Sequence, residues 1–212
     1  FVFSLFRQGI PVGLLMVIVV FYSRLAIFFL ERFSGLEAVG QYFIAIRICE
    51  PLLAVASALS TSAFPVLSRL AEKKDANTLK RLFQKYSIRS LLLSAGVALL
   101  LTIFANRLLY LIKPDYVAAT DALIALCWAS VFMFQNQISS TVINSFGKYH
   151  YVTIFAAVNL CVFLTLSLNL IPSMGPTGAG LSTLGTEGIN TIMQLITVSV
   201  MLSNVGKKTT HK

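Results

Sequence analysis

The chain has 212 residues, of which 57% are hydrophobic and only 12% charged, with a mean hydropathy of +0.81 and a formal net charge of +9. A soluble domain carries about 25% charged residues, whereas the charges here are absent from runs of ~20 residues that lack the alternation of barrel strands. The composition therefore excludes an ordinary soluble domain and predicts an all-α integral membrane protein.

Six apolar spans predict six transmembrane helices in chain order. They cover about 9–31, 38–67, 88–112, 117–146, 150–171 and 177–204. The first residue is Phe1 rather than Met, and no secretory signal pattern precedes the first span. We therefore expect the chain to be part of a longer multi-pass protein.

The basic residues outside the spans predict the orientation. Only Arg32, Arg107 and Lys113 fall on one side of the membrane. The other side has Arg7, Arg69, Lys73, Lys74, Lys80, Arg81, Lys85, Arg89, Lys148, Lys207, Lys208 and Lys212. By the positive-inside rule that side is cytoplasmic, so both ends of the chain are expected in the cytoplasm. Because the positive charge then reflects topology, no nucleic-acid partner is expected.

The link at 71–89 has an amphipathic pattern. Leu79, Leu82, Phe83 and Tyr86 recur at helical spacing, and Asp75 or Asn77 is a suitable cap at its start. This pattern predicts a basic helix in the cytoplasmic interface, with membrane lipids as partners. Two roles are open, a topology anchor and a lipid-sensing segment.

Four charged residues fall inside the spans, namely Arg24, Arg47, Glu50 and Glu187. Each costs ~2.5–3.5 kcal/mol at mid-membrane, so these side chains should face the bundle interior or a wet cavity. All four lie at similar estimated depth, and we expect them to meet. The alternatives are a purely structural Arg47–Glu50 pair at i, i+3 and an Arg24 side chain that extends to the head groups.

Polar stripes on three spans predict the lining of that cavity. On the second span, steps of three and four residues put one stripe on a single helical face, formed by Gly40, Phe43, Arg47, Glu50, Ala54, Ser57 and Thr61. The fourth and sixth spans contribute Trp128, Gln135, Asn136, Thr183, Asn190 and Gln194. No catalytic motif and no metal-ligand spacing are present, so we expect no enzyme activity, no metal and no cofactor.

Two segments resemble a known family. In residues 35–70 the matching positions are Val39, Gly40, Tyr42, Ala45, Arg47, Pro65, Leu67 and Ser68. In residues 168–187 they are Asn169, Pro172, Gly175, Gly178, Ala179, Thr183 and Glu187. On these residues the chain resembles the bacterial polysaccharide (O-antigen) flippases of the multidrug/oligosaccharidyl-lipid/polysaccharide exporter superfamily.

The resemblance implies that the chain is the C-terminal six-helix lobe of a two-lobe transporter of twelve to fourteen helices. Such a protein moves polyprenyl-pyrophosphate-linked oligosaccharides across the membrane, so the resemblance also implies a location in a bacterial cytoplasmic (inner) membrane. Arg24 and Arg47 would then bind pyrophosphate, Glu50 and Glu187 would counter these charges or carry a coupling ion, and Trp128 and Asn136 would touch sugar. The chain departs from the family in having no aspartate near Arg24. The expected partners are a lipid-linked oligosaccharide, the missing N-terminal lobe and polysaccharide assembly proteins.

Other functions remain open. One is a multidrug cation antiporter of the same superfamily, whose cavity should be acidic and aromatic. Another is a non-transporting scaffold in a polysaccharide assembly complex, or an inert remnant of a split gene. A membrane enzyme such as a polymerase is a further alternative.

Overall fold

The structure, a computed structural model, consists of helices. It describes the backbone of residues 2–73 and 76–210, and the side chains of Gly13, Val17, Phe21 and residues 24–73 and 77–203. The elements are α1 (Val2–Glu72), α2 (Ala76–Ile112), a short 3-10 helix (Pro114–Ala119), α3 (Thr120–Ser145) and α4 (Tyr149–Thr210). The predicted capping residue Asp75 and the side chains of Arg7, Lys74, Lys207, Lys208 and Lys212 lie outside the described residues.

Four helices are long and apolar enough to cross a membrane within the part of the chain that the structure describes. These segments are Arg24–Glu72, Asn77–Ile112, Pro114–Ser145 and Tyr149–Ser203. The six predicted spans are therefore not six separate helices. The first and second spans are joined in α1, and the fifth and sixth are joined in α4.

Both long helices are interrupted at a glycine. Gly35 in α1 has φ 84° and ψ 176°, and Gly175 in α4 has φ 52° and ψ −127°. Positive φ is adopted readily by glycine alone, because a Cβ atom would clash with the backbone. A Cβ at Gly175 would lie 3.5 Å from Ser34 Oγ, so the two kinks are neighbours at one end of the bundle.

The chain folds back on itself at Gly175. A methyl group at Gly178 would collide with the Leu170 carbonyl, and one at Gly185 would lie 3.0 Å from Leu166 Cδ1. In a straight helix residues 166 and 185 would be about 28 Å apart. The two halves of α4 therefore pack against each other in antiparallel directions.

Two apolar clusters fix the ends of the bundle. The first lies nearer the kinks and includes Leu30, Tyr42, Leu109, Phe163 and Ile171. The second joins the end of α1, the start of α2, the end of α3 and the last part of α4, and includes Leu67, Leu79, Phe83, Val142 and Val198. Apolar packing thus holds all four helices together at the end opposite the kinks.

The amphipathic link differs from its prediction. α2 runs without interruption from Ala76 to Ile112, so the link and the third span form one helix. Leu79 and Phe83 are buried against Leu67 and Val142 and not directed at lipid, whereas Tyr86 is exposed. The sequence predicts that this apolar face contacts the membrane surface. In the structure it packs against the other helices of the bundle.

The basic residues gather at the end of the second cluster. Arg69, Lys73, Lys80, Arg81, Lys85, Arg89 and Lys148 belong to the segments that meet there. Arg32, Arg107 and Lys113 lie in the segments near the kinks. Lys113 Nζ is 2.7 Å from Asp115 Oδ2, and this hydrogen bond raises the pKa of Lys113 above its ordinary value.

Candidate functional site

The predicted polar stripe of α1 lies on the surface of the bundle. Its members are all exposed, namely Gly40, Phe43, Arg47, Glu50, Ala54, Ser57 and Thr61. Residues between them, such as Ala45, Cys49 and Ala56, are buried. Since an α-helix has 3.6 residues per turn, these spacings put the stripe on one face and the packed residues on another.

A charge-balanced pair occupies the centre of this stripe. Arg47 Nη1 donates a hydrogen bond of 2.8 Å to Glu50 Oε2, while the two side chains remain 58% and 47% exposed. The guanidinium carbon of Arg47 also lies 5.0 Å from the centre of the Phe43 ring. The expected i, i+3 pair therefore exists, and its outer surface is free for a further contact.

The other predicted residues of α1 are exposed as well. Thr61 Oγ1 donates to the Ser57 carbonyl at 2.9 Å, so its hydroxyl proton is used within the helix. Arg24, on the part of α1 before the kink, is also exposed.

The polar stripe of α4 is buried between α3 and α4. Glu187 is 9% exposed, and Asn136 Nδ2 donates to its carboxylate at 2.7 Å and to its backbone carbonyl at 3.2 Å. Thr191 Oγ1 lies 2.8 Å from both the Glu187 carbonyl and Asn136 Oδ1. A side-chain network thus crosses the α3–α4 interface at Glu187.

Polar contacts extend this network along α4. Gln194 Nε2 donates to Asn190 Oδ1 at 3.0 Å, and Gln194 Oε1 accepts from Ser140 Oγ at 2.9 Å. Towards the kinks, the hydroxyls of Thr183 and Tyr42 lie 3.4 Å apart. Thr183, Asn190 and Gln194 therefore hold helices together inside the bundle.

Gln135 and Trp128 belong to other interfaces. Gln135 Oε1 accepts from Ser90 Oγ at 2.8 Å, and its Nε2 donates to Ser87 Oγ at 2.6 Å, which joins α3 to α2. Trp128 is half-buried against the first apolar cluster. Neither side chain joins Glu187 and Asn136.

Within this chain the structure does not bring Glu187 together with the other three charges, and the assignment of these four residues to one cavity stays a prediction. Arg24, Arg47 and Glu50 are exposed, whereas Glu187 is buried between α3 and α4. The physical reason is that the stripes of α1 and α4 face different surroundings, one outside the bundle and one within it. Among the described residues, no group of three His, Cys, Asp or Glu side chains is placed to hold a metal ion.

Several polar partners were missed in the sequence. They are Tyr42, Ser87, Ser90, Ser140 and Thr191. The spacing offered a signal for two of them, because Thr191 follows Glu187 and Ser140 follows Asn136 by four residues, one helical turn. Ser87 lies in the predicted interfacial link at 71–89, and Ser90 lies at the start of the third predicted span.

Comparison with known proteins agrees with this architecture. The MatE family model matches residues 11–171. A solved multidrug resistance MATE family transporter of the MOP superfamily, in its outward-facing conformation, superposes with a TM-score of 0.84 at 14% identity over 94% of the chain. A MATE structure in a bent conformation gives a TM-score of 0.83 at 15% identity over 97% of the chain.

A curated relative is an uncharacterized membrane protein of Methanocaldococcus jannaschii, 27% identical over 177 residues and 82% of this chain. The chain spans 35% of that relative and 46–47% of the solved transporters. MatE family members are transporters and not enzymes. Because the family model matches most of its length, the chain belongs to the MatE family.

Proposed function

We propose that the chain forms the C-terminal lobe of a two-lobe membrane exporter. In this proposal α1 and α4 each cross the membrane twice, which gives six crossings with both ends in the cytoplasm. The positive φ angles at Gly35 and Gly175 and the reversal of α4 support this count. The chain's coverage of just under half of the solved transporters supports a second lobe.

The exposed Arg47–Glu50 pair carries the proposal. Arg47 lies roughly 18 Å along its helix from Gly35, well inside a hydrocarbon core of about 30 Å. Leaving the pair in lipid would cost ~2.5–3.5 kcal/mol per charge, whereas a wet cavity between lobes removes this penalty. The stripe of α1 therefore lines the translocation path, opposite the missing N-terminal lobe.

The substrate that we propose is a polyprenyl-pyrophosphate-linked oligosaccharide in a bacterial inner membrane. A guanidinium group offers several donors to phosphate oxygens, so Arg47, with Arg24, would bind the pyrophosphate. Glu50 balances the charge of Arg47 through their ion pair. Glu187 is inside the lobe and away from that surface, so it would carry a coupling ion and not counter the arginines.

A multidrug cation antiporter is the second candidate. It is favoured by the carboxylate of Glu50 and the ring of Phe43, which both lie exposed on the same stripe and suit a cationic, aromatic substrate. A non-transporting scaffold in a polysaccharide assembly complex would need neither feature. The charge of the substrate thus separates the two transport functions.

Replacing Arg47 in the full-length protein tests the proposal. In a strain that lacks its own flippase, Arg47→Ala should reduce oligosaccharide export at least about tenfold, since a lost hydrogen bond to a charged group is worth roughly 1.5–3 kcal/mol. Arg69→Ala, which removes an exposed arginine from the last turn of α1, is the matched control and should export normally.

Membrane insertion must be equal in both variants, measured by the amount of folded protein in the membrane. Undiminished export by Arg47→Ala would show that Arg47 does not take part in transport. Efflux of a cationic dye without oligosaccharide export would select the antiporter. If neither substrate moves but polysaccharide assembly still requires the protein, the scaffold is correct.

A further inference from the structure

Gln137 is an exposed amide in the interior of a helix that is otherwise packed. Within α3, every residue of which the structure describes, Asp121 in the first turn and Gln137 are the only exposed side chains. The Gln137 carbonyl accepts a hydrogen bond from Thr141, but its side-chain amide has no partner among the described residues. An unpaired amide is unfavourable in apolar surroundings, so this side chain should face a polar environment.

Gln137 lies at the same level as the polar stripe of α1. The Sγ atoms of Cys49 and Cys127 are 3.8 Å apart, so these two residues mark a common level of α1 and α3. Beyond them, both helices run from the first apolar cluster towards the second. Because the residues of both helices rise equally, Gln137 lies beside residues 57–61 of α1, about 15 Å further along than the two cysteines.

Gln137 also lies on the same side of this helix pair as the stripe. Gln135 is hydrogen-bonded to α2, and Leu59 lines a cavity together with residues of α2, so both side chains face α2. Two residues along a helix correspond to about 200° of rotation. Gln137 follows Gln135 by two residues, and Ser57 precedes Leu59 by two, so both are turned away from α2. They therefore flank one groove between α1 and α3, on the face that carries the stripe.

The polar groups that flank this groove are neutral. Ser57 is exposed, and its hydroxyl, like the Gln137 amide, has no hydrogen-bond partner among the described residues. An amide supplies two donors and an acceptor, and a hydroxyl is both a donor and an acceptor. This combination matches the hydroxyl groups of a sugar and offers no charge to an ion.

The distance to Arg47 limits the shape of the substrate. Along α1, Arg47 is about 18 Å nearer the kinks than the level of Gln137. A substrate that contacts both residues must therefore be extended, with a charged end and an uncharged polar part. A lipid-linked oligosaccharide has this form, whereas a compact cation does not reach both residues.

We propose that Gln137 and Ser57 form a sugar subsite of the translocation path, in which they bond to sugar hydroxyls while Arg47 binds the pyrophosphate. This inference rests on the proposed function, since it needs an exporter of pyrophosphate-linked oligosaccharides. It moves the sugar contact away from Asn136, which bonds to Glu187 inside the lobe, to the next residue of α3.

Export of two substrates by the full-length protein tests the subsite. The probes are the lipid-linked oligosaccharide of a flippase-deficient strain and its single-sugar precursor, made by the same strain without the enzyme that adds the second sugar. Gln137→Leu removes the amide at similar size and should lower export of the oligosaccharide about fivefold relative to the precursor, as expected for one lost neutral hydrogen bond. Gln137→Asn keeps an amide and should restore most of this ratio. Gln84→Leu, at an exposed glutamine of α2, is the matched control and should leave the ratio unchanged.

The outcomes separate this inference from the proposed function. If Arg47→Ala reduces export of both probes but Gln137→Leu leaves their ratio unchanged, the exporter stands and the sugar subsite is wrong. Equal losses of both probes in Gln137→Leu would mean that Gln137 only supports the structure, which also overturns the subsite. If the wild type exports neither probe, the proposed function and the subsite are both wrong.

Thiol labelling tests whether the groove is open to water. With Cys161 replaced by alanine, Gln137→Cys in the full-length protein should react with a water-soluble maleimide at least about ten times faster than Ile88→Cys, because apolar surroundings disfavour the reactive thiolate. Ile88 is 58% exposed on α2 and follows Ser87, which bonds to Gln135, so it lies close to the same level. Equal rates would show that Gln137 is not in a wet groove, and the subsite would be rejected.

Discussion

Gln135 and Asn136 are neighbours in the sequence, yet they serve different interfaces. Gln135 bonds to Ser87 and Ser90 on α2, whereas Asn136 bonds to Glu187 on α4. Successive residues of a helix point about 100° apart, so two adjacent polar residues seldom share a partner. The sequence predicted that both are shielded from lipid, but α3 contacts protein on several sides, and its polar pattern does not reveal which helix each face meets.

The Asn136 amide should be important for stability. Asn136→Ala removes the donor to the Glu187 carboxylate and leaves that buried group without this contact. Losing one partner of a buried hydrogen bond costs roughly 1–3 kcal/mol, so the melting temperature of the full-length protein in detergent should fall. Asn169→Ala is the control, because Asn169 is exposed and its amide donates to the Thr165 carbonyl one turn back in the same helix. An equal fall in both variants would show that the network at Glu187 adds no specific stability.

At the scale of the element, the ends of the apolar runs predicted where the two long helices are interrupted. The gap predicted between 31 and 38 contains Gly35, and the gap predicted between 171 and 177 contains Gly175. After the second break the segments pack closely, because a Cβ atom at Gly178 or Gly180 would collide with backbone or Cβ atoms of neighbouring segments. The sequence did not show whether each break is a sharp turn at one glycine or a loop of several residues, because both give the same gap in hydropathy.

Gly178 and Gly96 should respond in opposite ways to the same change. Gly178→Ala puts a methyl group against the Leu170 backbone at the turn of α4, where nothing flexible can move aside. Gly96→Ala adds a methyl group to α2 in open space and should gain up to about 1 kcal/mol of helix propensity. The expected result is a lower melting temperature for Gly178→Ala and an unchanged or higher one for Gly96→Ala. Equal stability of the two variants would contradict the tight reversal at Gly175.

The start of α2 shows that the sequence cannot tell a lipid-facing apolar stripe from one that packs against protein. Leu79 and Phe83 were correctly placed on one apolar face, but that face packs against α1, α3 and α4 and not against lipid. An amphipathic stripe has the same composition in both cases, since lipid tails are as apolar as leucine. Only the positions of the other helices decide between them.

At the scale of the whole molecule, two similar polar stripes have opposite environments. The stripe of α4 is sealed inside the bundle by Asn136, Ser140 and Tyr42. The stripe of α1 lies on the surface of the same bundle. Both read alike in the sequence, because a membrane helix carries polar residues wherever it avoids lipid, whether it faces another helix or a wet path. The difference depends on the three-dimensional arrangement of the helices.

Thiol labelling distinguishes a wet stripe from a lipid-facing surface. Phe43 on the stripe of α1 and Phe104 on α2 are both exposed, and each lies roughly 12 Å along its helix from the end of the bundle where the kinks lie. A cysteine reacts as its thiolate, and apolar surroundings disfavour the thiolate because they raise the thiol pKa. With Cys161 replaced by alanine, Phe43→Cys in the full-length protein should react with a water-soluble maleimide at least about ten times faster than Phe104→Cys. Equal rates would mean that this face of α1 is not open to water, and the exposed Arg47–Glu50 pair would then need a covering helix instead of a translocation path.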